Sequence, residues 1–384
     1  MIKKLLPILL VVLTLVLKAQ PYAIGHLSLA TTDPARNNRN VTAQVYYPGV
    51  TAGDDVAVAN GQFPLIIFGH GFLMQYAVYN NIWEELVPNG YVVVMLTTEG
   101  GIQPNHGEMG TDFIFLKNSI QNDAATNNGS VFFQKLTTTS AYMGHSMGGG
   151  ASYLGAQNDP DVTALVGLAP AVTNPSSINA AATVSKPTLI FSGSADPVTP
   201  PATAHIPIYD SLKSTCKVFI SITGGGHCYF ANTGSVCEIG EGGGGFSITR
   251  NEQQTITNSL LTPWLNYWLK NDGTALTTFG SVLLSEGGIT HNETCPLLAT
   301  SVKEDAFSGI KIFPNPATSA ININNESLAG SVHYSLLNTL GQNILTGSFS
   351  GSTSSLSTNG MQAGVYTLII AQNNQLKPYR VILQ

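Results

Sequence analysis

Residues 140–150 read Ser140-Ala141-Tyr142-Met143-Gly144-His145-Ser146-Met147-Gly148-Gly149-Gly150. The run up to Gly144 has the compact apolar texture of a strand, and the run after Ser146 has the small residues of a closely packed helix. Between them stands a G-x-S-x-G turn, Gly144 to Gly148. A serine on so tight a strand-to-helix turn takes strained backbone angles, and side chains two residues to either side would clash. Glycines at 144 and 148 remove that clash. The turn also sets Oγ at a helix N-terminus, where the dipole and free N–H groups favour negative charge. In a chain with 39 glycines the motif alone is weak; its strand and helix give it meaning.

Outward from this turn, Val41 to about Lys270 alternates β-rich runs with helical stretches. Val41–Tyr47 alternates like a half-exposed strand. Pro64–Gly69, Tyr91–Leu96, Ser140–Gly144, Val162–Leu168, Pro187–Phe191 and Val218–Ile222 are continuous apolar runs, typical of strands covered on both faces. Helices are predicted at Tyr76–Leu86, Asp112–Asp123, Met147–Gln157, Ala202–Leu212 and Gln253–Leu269. The pattern predicts an α/β domain of the α/β-hydrolase fold, a mostly parallel sheet flanked by helices.

A serine hydroxyl at neutral pH needs a base, and in that fold the order along the chain is serine, acid, histidine. Pro187–Phe191 leads into Gly193-Ser194-Ala195-Asp196-Pro197, so Asp196 falls just beyond a strand's C-terminal end, where open sheets place their sites. An Asp before Pro is also a common turn; the competing Asp210 lies inside a predicted helix. Val218–Ile222 leads into Gly224-Gly225-Gly226-His227, again at a strand end. Among the other histidines, His26 precedes the expected sheet, His145 is locked in the turn, His205 lies in a helix, and His291 and His333 follow the last expected strand. Ser146, Asp196 and His227 are therefore the expected nucleophile, acid and base. The Met147 N–H is one expected oxyanion donor. The Phe72 N–H, in Gly69-His70-Gly71-Phe72 after the Pro64–Phe68 run, is the other; His70 is read as structural support.

The rest of the chain bounds the setting. Lys3 and Lys4, the apolar run Leu5–Leu17 and the small Ala19 read as a secretory signal, too short to span a bilayer comfortably. Charged residues make up only 10%, the net charge is −6, and the mature chain has no run of Lys or Arg. That excludes a nucleic-acid groove and an anionic membrane surface as natural partners. Export would put Cys216, Cys228, Cys237 and Cys295 in an oxidising compartment. Four cysteines allow three pairings. Cys228 with Cys237 would close a short loop beside His227, leaving Cys216 with Cys295. The spacing lacks the C-x-x-C pair of a zinc site, and neither metal nor cofactor is expected. After Cys295 the texture becomes short β segments and turns, the pattern of a small all-β sandwich. The expected division is signal 1–19, α/β domain 20–296, linker 297–307 and β-sandwich 308–384. Residues 20–302 carry 9 basic and 19 acidic side chains against 4 and 3 in 303–384, which also separates the two units.

The ordered set G-H-S-M-G-G-G, P-T-L-I-F-x-G-x-x-D-x-x-x-P, P-I-Y-D-S-L and G-G-G-H resembles bacterial cutinases and polyester hydrolases, PET hydrolases included, over about residues 25–296. The resemblance implies a monomeric serine esterase acting on an ester or polyester. Its triad would be Ser146, Asp196 and His227, its oxyanion donors Met147 and Phe72. Val198 and the Leu168–Asn174 segment, Asn174 included, would wall the cleft. Many relatives carry a tryptophan in the loop that here reads Ala169-Pro170-Ala171-Val172-Thr173-Asn174, and the cysteine positions and the Gly-rich stretch within Cys237–Phe246 also depart from the family. That stretch follows no strand and has no Lys-Ser/Thr, so it reads as a flexible loop rather than a phosphate cradle. The short Leu168–Pro187 segment leaves little room for a helical lid. Carboxylesterases and lipases share every triad feature, and a non-catalytic adhesion protein could use the same scaffold. In the tail, Ile312-Phe313-Pro314-Asn315-Pro316, Leu340-Gly341 and Ala363-Gly364-Val365-Tyr366 resemble a type IX secretion sorting domain, which implies the type IX machinery as partner and a secreted or surface location.

Overall fold

The continuous apolar runs become the central strands of one ten-stranded sheet. Its strands are β1 (Ala23–Asp33), β2 (Arg39–Gly49), β3 (Gly53–Asp54), β4 (Phe63–Gly69), β5 (Val92–Leu96), β6 (Leu136–His145), β7 (Ala164–Leu168), β8 (Thr188–Gly193), β9 (Lys217–Ile222) and β10 (Ile289–Thr294). The order across the sheet is β10-β9-β8-β7-β6-β4-β5-β2-β1-β3. Neighbours from β5 through β4 and β6 to β9 are parallel, and β2, β1 and β10 join antiparallel. This computed structural model describes residues 21–384, except 235, 243–244, 302–306, 308, 327, 329, 339–341 and 373–374. The expected signal at 1–19, residues 302–306 of the expected linker and the Leu340-Gly341 pair lie outside the described residues.

The helices are α1 (Asn80–Leu86, after a 3₁₀ turn at Tyr76–Tyr79), α2 (His106–Thr126), α3 (Met147–Ala156), α4 (Ser177–Ala181), α5 (His205–Ser211), α6 (Cys237–Gly240), α7 (Arg250–Lys270), α8 (Gly273–Ser285) and α9 (Pro296–Ser301). Alternation along each central strand feeds two cores. Ile66, Phe68, Val93 and Met95 face α1, α7 and α8 through Trp83, Trp264 and Phe279. Leu65, Ile67, Val92 and Val94 face α2 to α5 through Phe113, Leu116, Tyr153 and Ile208. β4, β5, β7 and β8 are buried at every position, which is why their sequences are unbroken apolar runs. No helix among the described residues is long and apolar enough to cross a membrane.

Two readings of the sequence need correction. His26 does not precede the sheet but lies on β1, and His291 does not follow the last strand but lies on β10. Both strands sit toward the sheet's margins: β1 mixes apolar and polar residues at mostly half-buried positions and β10 is largely exposed and polar, so neither carries an apolar run to read. For the same reason the sheet is wider than expected, and α8 extends the helical layer beyond Leu269.

The chain parts into two compact units between Leu298 and Ala299. In the second, an antiparallel sheet of β11 (Ile310–Phe313), β12 (Ala320–Asn325) and β15 (Thr353–Ser357) accompanies a four-stranded antiparallel sheet. The latter has the order β14 (Asn343–Ser350), β13 (Ser331–Leu337), β16 (Gly364–Gln372), β17 (Gln375–Leu383). Ile321, Ile323, Val332, Leu336, Leu356, Leu368 and Ile370 form their shared core, a small β-sandwich.

Candidate active site

The switch in strand order beside β4 decides where a site can form. β5 lies on one side of β4 and β6 on the other, and the crevice above such a point is where α/β sheets bind ligands. The register pairs Gly69 of β4 with Gly144 of β6, so the two strands end side by side. Ser146 follows at φ 53° and ψ −119°, a strained conformation for a residue with a side chain. Glycine is obligatory around it. A Cβ on Gly148 would stand 2.1 Å from the Gly69 carbonyl oxygen, and one on Gly144 would stand 2.4 Å from the Gly148 carbonyl carbon. The turn is held by the Ser146 N–H donating to Leu168 O and the Gly148 N–H donating to His70 O, both at 3.0 Å.

Asp196 leaves the end of β8 as expected. Its Oδ1 accepts the Val198 and Thr199 N–H groups at 2.8 Å each, and its Oδ2 faces His227 Nδ1 at 2.7 Å. Burial alone would raise the Asp196 carboxyl, but the hydrogen bond and charge of His227 and the Thr199 N–H outweigh it and hold the group below its usual range. His227 therefore carries its proton on Nδ1, toward the carboxylate, and no described residue accepts from or donates to Nε2. Asp210, the competitor, is exposed on α5 and turned from this cluster.

The Thr199 hydroxyl was not singled out from the sequence, and it lies at the centre of the cluster. It sits 3.0 Å from Asp196 Oδ2, 2.9 Å from His227 Nδ1 and 2.9 Å from His205 Nε2. His205, set aside in the sequence because it starts a helix, is wholly buried with Nδ1 2.7 Å from Ser192 Oγ. Burial lowers it to about 4, so the ring is neutral at pH 7. Thr199 Oγ1 donates to Asp196 Oδ2. The legible signal was the D-x-x-T spacing, a turn in which the acid caps its own loop.

The loop bearing His227 is held from below. Gln253 on α7 bonds both backbone groups of Gly226. Glu241, buried at 7% exposure within the Gly-rich stretch, accepts the Cys228 N–H at 2.7 Å. Burial raises the Glu241 carboxyl despite that bond. Arg250 donates to the Cys228 and Ala231 carbonyls and pairs with Glu238 at 3.0 Å. The disulfides join Cys228 to Cys237 and Cys216 to Cys295. Residues 237–240 are thus a tethered helical turn rather than open loop, whereas Gly243 and Gly244 lie outside the described residues.

The rim is apolar. Phe72 is 46% exposed and Val198 38%; a Cβ on Gly240 would touch Val198 at 3.6 Å, so α6, with Ile239 82% exposed, borders Val198. The Phe72 and Met147 N–H groups donate to no described residue. Asn174, beyond the loop that opens with Ala171 N–H donating to Ser146 O at 2.8 Å, is tied through its N–H to His106 Nδ1 at 3.2 Å. Helix α4 occupies part of the Leu168–Pro187 segment, but Ser177, Ala180 and Ala181 are buried, so it packs down onto the domain. No group of three His, Cys, Asp or Glu side chains suited to a metal occurs among the described residues.

Comparison with known proteins agrees with this architecture. Residues 19–272 match the family model described as PET hydrolase-like, and residues 311–384 match that of a secretion system C-terminal sorting domain. The chain is similar to Cutinase 1 of Thermobifida cellulosilytica, 26% identical over 184 residues, covering 48% of this chain and 64% of the relative. It is equally similar to Cutinase of Thermobifida fusca (strain YX), 26% identical over 184 residues, covering 48% and 56%. The match spans less than two thirds of either relative. With its sorting domain, the chain is a secreted or cell-surface protein. Since the first match covers most of the chain, the chain belongs to the PET hydrolase-like family.

Proposed function

We propose that this protein is a secreted carboxylic ester hydrolase that cleaves polyesters of the cutin and PET type through Ser146, His227 and Asp196. One observation carries the reading: His227 gives Nδ1 to Asp196 at 2.7 Å and keeps Nε2 free, and its ring lies 4.6 Å from that of His145, the residue before the strained Ser146. His227 Nε2 takes the Ser146 proton as Oγ bonds to the ester carbonyl carbon, and the carbonyl π-pair moves onto oxygen. The Phe72 and Met147 N–H groups receive that oxyanion. Collapse breaks the C–O bond, and His227 returns the proton to the leaving alcohol. Water then adds by the same relay and frees the acid and Ser146. Asp196 holds the Nδ1–H tautomer and stabilises the imidazolium.

A polymer chain is favoured over a small buried ester because the rim is apolar, with Phe72, Val198 and Ile239 exposed, and α4 does not stand over it. The C-terminal unit would engage the type IX export machinery. The test is a panel of p-nitrophenyl esters of rising chain length, cutin and PET film, run with Ser146→Ala. The variant should lose about 10⁶ in kcat and all fluorophosphonate labelling; near-native turnover would overturn the assignment. Strong activation at an oil–water interface would argue for a lipase-like cleft instead.

A further inference from the structure

Tyr79 and His145 are both wholly buried, and no step above uses them. His145 precedes Ser146, and its ring centroid lies 4.6 Å from that of His227. Its Nε2 is 3.0 Å from the His227 carbonyl oxygen, and its Nδ1 is 2.9 Å from Tyr79 Oη. A carbonyl can only accept, so Nε2 carries the proton. Burial, reinforced by the charge of His227, holds His145 well below the usual histidine range. The ring is therefore neutral, Nδ1 is a lone pair, and the Tyr79 hydroxyl donates to it. Met74 Sδ, 3.1 Å from the same hydroxyl, is the weaker acceptor. The Tyr79 oxygen in turn accepts the Gly71 N–H at 2.9 Å. On its carbonyl side Gly71 is held by His70 Nδ1 at 2.8 Å and the Met74 N–H at 3.0 Å, and the next residue is Phe72.

We infer that Tyr79 and His145 are positioning residues. One hydrogen-bond chain, Gly71 N–H to Tyr79 Oη–H to His145 Nδ1, then His145 Nε2–H to the His227 carbonyl, ties the loop presenting the Phe72 N–H to the loop presenting the base. The chain crosses the nucleophile turn between its two ends, so oxyanion donor, nucleophile and base share one buried frame. Buried networks of this kind are stiff when every member is satisfied, and a small displacement of reacting groups costs heavily in rate. The inference rests on the roles given above to Ser146, His227 and Phe72.

The test uses the full-length protein and p-nitrophenyl butyrate. Tyr79→Phe removes one oxygen and keeps the ring; kcat should fall about 10–100-fold, with KM within about twofold by the same positioning argument. Inhibition by phenylboronic acid, a tetrahedral mimic, should weaken in parallel. His145→Leu should behave alike, and the Tyr79→Phe/His145→Leu pair should be far less damaging than the product of the singles, because both break one chain. His145→Gln can accept at Oε1 and donate at Nε2, and should recover at least about tenfold of the Leu loss. At pH 7, ¹⁵N–¹H spectra should show His145 as the Nε2–H tautomer. Unchanged kcat in Tyr79→Phe, multiplicative singles, or a Gln variant no better than Leu would overturn the inference. Should Tyr79→Phe fail to fold, the Gln and Leu pair decides alone. Turnover surviving in Ser146→Ala would instead refute the triad reading beneath it.

Discussion

Gln253 meets Gly226 with both ends of its carboxamide: the Gly226 N–H donates to Oε1 at 3.0 Å, and Nε2 donates to the Gly226 carbonyl at 2.9 Å. A buried side chain thus pairs with the peptide before His227 as an adjacent strand would. Gln253→Ala leaves two buried backbone groups unpaired, at about 1–3 kcal/mol each. Urea unfolding should show a lower midpoint at unchanged slope, and kcat should fall more than KM rises. A variant with the native midpoint would show that the pairing contributes nothing.

Thr199→Val keeps the shape of the side chain but removes the oxygen shared by Asp196, His205 and His227. Loss of that donor from a buried carboxylate is worth about 1–2 kcal/mol, near tenfold in kcat/KM. Thr199→Ser should stay close to wild type. Equal rates in the Val and Ser variants would count against a role for the hydroxyl.

Acid should destabilise the fold through His205 before it reaches the carboxylates. Burial holds His205 at about 4 against 6.5. Between those values the unfolded chain binds a proton that the folded chain refuses, so stability is complete above pH 6.5 and falls as pH drops toward 4. The loss is about 3 kcal/mol. Asp196, with its depressed carboxyl, supports the fold above the unfolded carboxylate range and loses that support only at lower pH still. Chemical unfolding at pH 7, 5.5 and 4.2 should give a shallower slope for His205→Gln than for wild type. Parallel slopes would refute the assignment.

The two disulfides should separate stability from turnover. On the chain-entropy view, closing the 79-residue separation of Cys216 and Cys295 stabilises by about 4–5 kcal/mol, against about 2.5 for the nine-residue separation of Cys228 and Cys237. Paired Cys→Ser variants should therefore rank one way in urea midpoint. In kcat they should rank the other way, because Cys228 adjoins His227 and Cys295 is remote in sequence from it. Matching ranks in both measurements would refute this division.

What could be read from the sequence followed from local chemistry. β4, β5, β7 and β8 were legible because both faces are buried, so their apolar runs are uninterrupted. β1 and β10 were not, because sheet margins alternate or turn wholly polar, and a strand such as Ile289-Thr290-His291-Asn292-Glu293-Thr294 is held by its neighbour rather than by its own pattern. Ser146 was legible because a strained turn demands glycines on either side. Asp196 and His227 were legible because strand ends can be counted. His205, Tyr79, Gln253 and Glu241 escaped because their partners are 6 to 66 residues away or contributed by backbone atoms, whereas Thr199 left only the short D-x-x-T spacing from Asp196. His205 in particular looked like an ordinary helical residue. Its ring points inward only because α5 begins beside the end of β8, a matter of packing that no local window contains.

Ile239 and Glu241 stand two residues apart in one tethered segment, the first facing solvent and the second sealed against the backbone of Cys228. On the proposed reading, the rim beside Val198 and the hold on the loop of His227 are inherited together. Grafting a foreign segment here to reshape the rim would also discard the carboxylate that accepts the Cys228 N–H. Exchanges that spare Glu241, by contrast, leave the outer surface open to redesign.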